Sequence, residues 1–167
     1  PPPLAALPPR PPPPRIRLGL PHVPPARARA APVHDFVQAP HPDVIVLMEV
    51  GEAWDTISDC LGHDYTNGIS EPRDDGFGVA LVSRLPMRNA LPLYSGRELG
   101  PTVYAQIRCG DHQLTVLATH FLPPAGSDDH RLRVDQLSSL LINFSDSKNT
   151  RMIVLGGLNI THSSLSL

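Results

Sequence analysis

The sequence predicts an α/β (α+β) fold, a mixed sheet with helices packed on it. Three observations predict it. First, Val44-Ile-Val-Leu-Met-Glu-Val50 and Phe77-Gly-Val-Ala-Leu-Val-Ser83 are continuous apolar runs, the first bounded by Pro42 and Gly51. Runs of this length and β-branched content fit central strands buried on both faces. Second, residues 102–109 alternate, with Val103, Ala105, Ile107 and Cys109 on one face and Tyr104, Gln106 and Arg108 on the other. Gly110-Asp111 then turns the chain into the apolar stretch 113–119, so the two form a hairpin. Third, helical spacing separates the strands. Trp54, Ile57 and Leu61 mark one helical face, and Val134, Leu137, Leu140, Leu141 and Phe144 mark another. With the last apolar strand, Met152-Ile-Val-Leu155, the order reads β-α-β-β-β-α-β.

Along the chain, residues 1–33 stand apart as a proline-rich, low-complexity tail, and residues 34–167 form the folded domain. The protein has 21 prolines, fifteen of them within the first 42 positions, so the two regions are read separately. Proline fixes φ and removes backbone donors, which predicts a polyproline-like or disordered tail without regular strands. The segment Pro8-Pro-Arg-Pro-Pro-Pro-Pro-Arg15 has PxxP character and would suit a proline-binding module, but a tail without specific role is the preferred reading. Residues 34–39 then read as a short helical piece before the first apolar strand.

Composition sets outer limits. A chain of 167 residues with 41% hydrophobic and 18% charged residues is long enough for one domain with a real core. The formal net charge of −2 supplies no global basic field of the kind that draws proteins to nucleic acid. Local contacts can still hold a phosphodiester. Cys60 and Cys109 form no CxxC pair and read as reduced thiols. No stretch of about 18 apolar residues is present to span a membrane. Prolines interrupt every apolar run near Arg10, Arg15 and Arg17, so a secretory signal is not expected.

Three polar residues stand where buried strands end: Glu49, His120 and Asn159. An unpaired buried carboxylate is costly, so Glu49 calls for a partner, either an arginine or a hard divalent cation. His120 is either a satisfied core histidine or a ligand-facing one. Asn159, after two glycines, is either a turn residue or a functional amide.

The words that surround these residues are PDVIVLMEV (42–50), DDGFGVALVSRLP (74–86), LTVLATHFLPP (114–124) and RMIVLGGLNIT (151–161). In this order and spacing they resemble the endonuclease/exonuclease/phosphatase superfamily, the DNase-I-like fold, with a likeness to bacterial members whose last motif reads GDLN. The resemblance covers residues 34–164. It implies a four-layer α/β sandwich with the active site at one edge of two sheets, and Mg²⁺- or Mn²⁺-dependent hydrolysis of phosphoester bonds. Among the substrates it implies is nucleic acid. Relatives with this motif often carry membrane helices ahead of the domain, and neither the location nor any protein partner follows from the sequence. Position by position, Glu49 matches the metal-binding glutamate. His120 matches the histidine that hydrogen-bonds the scissile phosphate, and Asn159 the phosphate-contacting asparagine. Arg84 matches a usual arginine, with a structural role. Such an arrangement fits the chemistry, in which a metal neutralises developing charge while neutral donors hold the remaining oxygens.

The pattern also breaks. The resemblance puts a water-activating aspartate at position 157, where this chain has Gly157. Loss of a general base costs ~10²–10⁴-fold. A first strand ending in asparagine is expected upstream of residue 34, within the proline-rich tail, which cannot form a central strand. Closing strands with an Asp-His pair are expected beyond residue 167. The sequence-level expectation is an impaired hydrolase: a fragment or misread product of an active enzyme by preference, otherwise a decayed copy or a pseudoenzyme that binds phosphate or a partner. Glu49, His120 and Asn159 are then expected to converge in space, with Gly157 beside them and open space where a carboxylate would be.

Overall fold

A computed structural model of the chain describes residues 15–21, 31–38, 41–52, 54–95, 100–123, 127–145 and 151–159. Residues 15–20 contain no proline, and within them lies the first strand, β1 (Leu18–Gly19). Then follow α1 (Ala31–Gln38), β2 (Val44–Met48), α2 (Trp54–Leu61), β3 (Asn67–Glu71), β4 (Val79–Ser83), β5 (Met87–Leu93), β6 (Thr102–Cys109), β7 (His112–His120), α3 (Ser127–Ser145) and β8 (Arg151–Gly157).

The strands form two four-stranded sheets, ordered β1-β2-β4-β3 and β5-β6-β7-β8. In the first, β2 runs antiparallel to β4 with Val46 opposite Leu81, and every residue of both strands is buried. In the second, the β6/β7 hairpin turns at Gly110 (φ 58), a left-handed position that glycine takes without strain. The chain then crosses through α3 to β8, which lies parallel to β7.

Alternation assigns the layers. Val44, Val46, Met48, Val79 and Leu81 face Val103, Ala105, Ile107, Val116 and Ala118, forming the core between the sheets. The opposite faces of β2 and β4, carrying Ile45, Leu47, Ala80 and Val82, bury against Val33 and Val37 of α1, Ile57 and Leu61 of α2, and Tyr65. Removing each such side chain from water is worth ~1.5–3 kcal/mol. Thr115, Leu117 and Thr119, on the reverse of β7, are buried on the side of the α3 crossover. The result is the four-layer α/β sandwich expected from the sequence.

Four expectations need correction. The tail does hold a strand: β1 pairs parallel to β2, Leu18 with Val44 and Gly19 with Ile45, anchored by the Arg17 N–H to Asp43 Oδ2 at 2.9 Å. It escapes the proline argument because it lies in a gap between prolines and, among the described residues, is an edge strand bonded on one side only. β3 and β5 were not foreseen. Asn67-Gly-Ile-Ser-Glu71 has one large apolar residue, and becomes a strand because β4 offers it an edge. β5 contains Pro92 and a register shift between Arg88 and Leu91, where Asn89 takes φ 50, features an edge tolerates. Finally, the buried side of α3 is only in part the expected apolar one, since of its expected members Leu140 is buried, Val134 and Leu137 are not, and the Leu141 and Phe144 side chains lie outside the described residues. Arg133, Gln136 and Leu140 are buried, whereas Val134 and Leu137 are exposed. That stripe follows the i, i+3, i+7 spacing, but its first two members are polar, because they reach backbone carbonyls rather than a hydrophobic layer. Of the two cysteines, Cys109 is a free thiol, and the Cys60 side chain lies outside the described residues.

Candidate active site

The parallel β7/β8 ladder sets His120 beside Gly157. Immediately beyond it the Phe121 N–H donates to the Gly157 carbonyl at 2.9 Å. Asn159 turns away from β8 with φ 47, a region asparagine tolerates better than most residues. Its position is fixed at two points. Its side-chain amide donates to the Phe121 carbonyl, and its own carbonyl accepts from Arg133 Nη1 at 2.7 Å. Arg133 is thus a buried cation committed to holding the backbone of a candidate site residue.

The two glycines before Asn159 have separate reasons. Gly156 has φ 147, and a Cβ there would fall 1.6 Å from the Thr119 carbonyl oxygen, so only glycine fits. At Gly157 the obstacle is a side chain. A Cβ would lie 2.6 Å from His120 Cδ2 and 3.3 Å from Met48 Sδ. The open space expected at position 157 is therefore absent, because the ladder aligns the imidazole with the glycine and the ring covers it.

His120 is 7% exposed. Its Nδ1 lies 3.1 Å from the Gly76 carbonyl oxygen, and since a carbonyl only accepts, Nδ1 carries the proton. Nε2 lies on the Gly157 side of the ring together with Cδ2, 3.0 Å from that same Cβ position. The ring also meets Phe77, centroids 5.4 Å apart at 54°. Gly76 belongs to a tight loop: it takes φ 83, the Phe77 N–H donates to Asp75 Oδ1 at 3.1 Å, and Arg73 Nε donates to the same carboxylate at 2.9 Å. The Arg73 guanidinium holds the Asp75 carboxyl below its usual range.

Glu49 reaches this end of the sandwich from the other sheet. It directly follows β2, half-buried, with φ 62, uncommon for a glutamate. Its two neighbours tie it in. Met48 faces Gly157, and Val50 accepts from the Arg73 N–H at 2.8 Å while donating to Gly78 at 3.1 Å. Gly78 permits that approach, since a Cβ there would fall 1.8 Å from the Val50 oxygen. The fold thus brings His120, Gly157 and Asn159 together directly, and brings the Glu49 backbone beside them through Met48 and the 73–78 loop. Arg84 stands elsewhere, at the opposite end of β4, its N–H on the Asp43 carbonyl at 3.0 Å. Sequence reasoning missed Arg133, Gly76 and Phe77. Arg133 had a signal, the Arg133/Gln136/Leu140 stripe on α3, but the apolar residues beside it on the helix masked it.

The donor set decides what the site could hold. A hard cation wants oxygen ligands, several of them charged or carbonyl. Here one carboxylate, Glu49, accompanies an imidazole and an amide, and no group of three or more His, Cys, Asp or Glu among the described residues could hold a metal ion. These residues alone do not complete a divalent-metal site.

The sequence profile of the Endonuclease/Exonuclease/phosphatase family matches residues 16–167. The chain belongs to this family. The match takes in β1, which the reading of the tail had left out. Comparison with curated proteins gave no match. Among solved structures, the chain is similar to a humanized D. rerio TDP2 (TM-score 0.68, 16% identity, 81% of this chain and 60% of that one). It is also similar to a hairpin-deletion beta toxin from Staphylococcus aureus (0.70, 18%, 89% and 68%). A third is the human Nocturnin catalytic domain (0.63, 21%, 79% and 56%). At these identities the likeness is one of fold, the DNase-I-like sandwich. The chain spans 44–60% of the TDP2 chains it resembles. No helix among the described residues is long and apolar enough to cross a membrane.

Proposed function

We propose that the chain carries the phosphate-holding half of a phosphoester-hydrolase site and hydrolyses poorly, because position 157 lacks a carboxylate. The observation that carries this reading is the alignment of His120 and Gly157 across β7/β8 with Asn159 pinned two residues on. Family membership supports the reaction class. Among the structures of similar fold, one TDP2 holds a single-strand DNA product and Nocturnin holds a sulfate anion, which favours a phosphate-bearing ligand, nucleic acid included.

In this reading His120, its tautomer set by the Gly76 carbonyl, turns Nε2 to the ligand, and donates from it once the ring is protonated. Asn159 offers its second amide hydrogen to a phosphate oxygen. Glu49 is the candidate metal ligand. Mg²⁺ or Mn²⁺ from solution would supply Lewis-acid chemistry, but one carboxylate is a thin anchor and no step is assigned to the ion. No side chain at 157 can take the proton of an attacking water, and that loss is worth ~10²–10⁴ in rate. A second reading, a phosphate binder without turnover, rests on the same glycine.

The test is hydrolysis of bis(p-nitrophenyl) phosphate by the purified chain with Mg²⁺ or Mn²⁺, with and without EDTA. Trace or no metal-dependent turnover, together with weak phosphate binding lost in Asn159→Ala, is expected. Robust turnover abolished by EDTA would overturn the impairment.

A further inference from the structure

Each sheet has two edges among the described residues, and three of the four are guarded. β1 is only two residues long, β3 carries Gly68 and Glu71, and β5 holds Arg88, Pro92 and a register shift. Short length, charge, proline and irregular register keep an edge from pairing with another chain. β8 is bare by comparison. From Met152 to Gly157 it has no charge and no proline, and its ladder to β7 runs from Arg151 to Gly157 without a shift. The Gly157 carbonyl is turned to β7, so by the alternation of an extended strand the backbone groups of Met152 and Val154 turn away from it. Ile153 and Leu155 point into the core between the sheets yet stay half-buried, whereas Val116 and Ala118 beside them on β7 are fully buried.

Such an edge suits a strand that is itself apolar and uncharged, and β8 meets that description. A second copy, turned about a twofold axis along the sheet normal, lays β8 antiparallel to β8 with like faces together. Full overlap of the strand Arg151–Gly157 centres the axis on Val154. Ile153 then lies opposite Leu155 of the second copy, so the half-buried core residues cover each other. Arg151 comes opposite Gly157 and not opposite its own counterpart, so no like charges meet. Residues 151, 153, 155 and 157 share one face of the strand, the face on which a Cβ at Gly157 would meet His120. Arg151 of the second copy therefore enters on the His120 side of Gly157.

We propose that two copies of the chain pair through β8, and that Arg151 of each reaches the candidate active site of the other. The pairing stands by itself, while the role of Arg151 rests on the phosphate-holding reading given above. A guanidinium at that place offers a phosphate oxygen charge-assisted donors.

The pairing is tested by sedimentation equilibrium of the purified chain from dilute to concentrated solution. The mass should rise towards that of two chains. Val154→Lys sets two ammonium groups opposite each other and should weaken association about tenfold or more, while Arg151→Gln should leave it intact. Folding is checked by circular dichroism. An independent reading uses Val154→Cys in a chain that also carries Cys60→Ser and Cys109→Ser. Mild oxidation should join these copies, since directly opposed residues stand within disulfide reach, and should join Met152→Cys, which faces Gly156, far less. A chain that stays monomeric at every concentration, or that crosslinks equally at 152 and 154, would overturn the pairing. For the arginine, inorganic phosphate binding by the concentrated chain should weaken in Arg151→Gln and in Asn159→Ala. An equal mixture of the two variants should regain it in part, because one site of each mixed pair then holds both intact residues. No regain would overturn the role of Arg151. A parent chain that dimerises without binding phosphate would overturn the phosphate reading and that role with it, and leave the pairing standing.

Discussion

The two helix-on-sheet layers of this sandwich are built on different terms. Between α1/α2 and the first sheet the described buried side chains are apolar, from Val33 and Val37 to Ile45, Leu47, Ala80 and Val82, with the Tyr65 hydroxyl donating to the Pro42 carbonyl at 2.7 Å. On the reverse of the second sheet the buried residues include Arg133, Gln136, Thr115 and Thr119. Arg133 bonds the Asn159 carbonyl and Gln136 the Gly100 carbonyl, while the Thr102 and Thr119 hydroxyls bond each other at 2.9 Å. The first layer is a hydrophobic clamp that makes the fold stable. The second trades apolar burial for backbone fastening, and it does so behind the β7/β8 end where His120, Gly157 and Asn159 meet. The lesson is one of division: one layer supplies stability, and the other spends some of it on fixing a site.

That contrast can be broken most strongly in the apolar layer. Leu47→Ala removes a fully buried side chain from it, and a loss of ~2–5 kcal/mol is expected by urea unfolding. A loss under ~1 kcal/mol would mean the layer is not close-packed. At the site end, Gly157→Asp must displace the His120 ring, since its Cβ would stand 2.6 Å from Cδ2. A cost of ~1–3 kcal/mol is expected from overpacking, and most of it should vanish in a His120→Ala background, read by a double-mutant cycle. Additive costs would show that the ring is not the obstacle. The same substitution alone should not recover hydrolysis unless the ring moves aside.

The polar layer gives smaller effects. Gln136 Oε1 is buried without a partner among the described residues, and its amide nitrogen reaches Gly100 only at 3.3 Å. Gln136→Leu should therefore change stability by less than ~1 kcal/mol, in either direction, in contrast to Leu47→Ala. A loss above ~2 kcal/mol would show the amide to be an essential fastener. Smallest is the exposed pair under the site loop. The Asp75 carboxyl is held low by Arg73, so its contribution is present above the unfolded-state value and fades as pH falls through the folded one. With 43% of the Asp75 side chain exposed, screening limits it to a fraction of a kcal/mol. Asp75→Asn should be slightly less stable than the parent at pH 7, and the gap should close as the pH is lowered below the usual carboxylate range, in paired thermal melts.

The sequence by itself determined the principal strands and offered candidate positions for chemistry at their ends, while the two-sheet sandwich was what the family resemblance implied. The β-branched run 44–48, the run 79–83 and the alternation 102–109 leave little choice but buried strands, and patterning is a local property that survives any change of partner. The same logic placed Glu49, His120 and Asn159 at strand ends, since a polar residue that closes a buried run must lie at a rim. The tertiary structure decided the rest, for a physical reason common to each case: pairing and contact across long sequence separations have no local signature. β1 and β3 are strands because β2 and β4 present unfilled edges, not because Leu18-Gly19 or Asn67-Gly-Ile-Ser-Glu71 favour extension. The buried stripe of α3 is set by carbonyls at Gly100 and Asn159, which overrode the apolar pattern of Val134 and Leu137. And whether a glycine at 157 leaves a hole or a contact depended on a register, His120 against Gly157, that only the parallel ladder could fix.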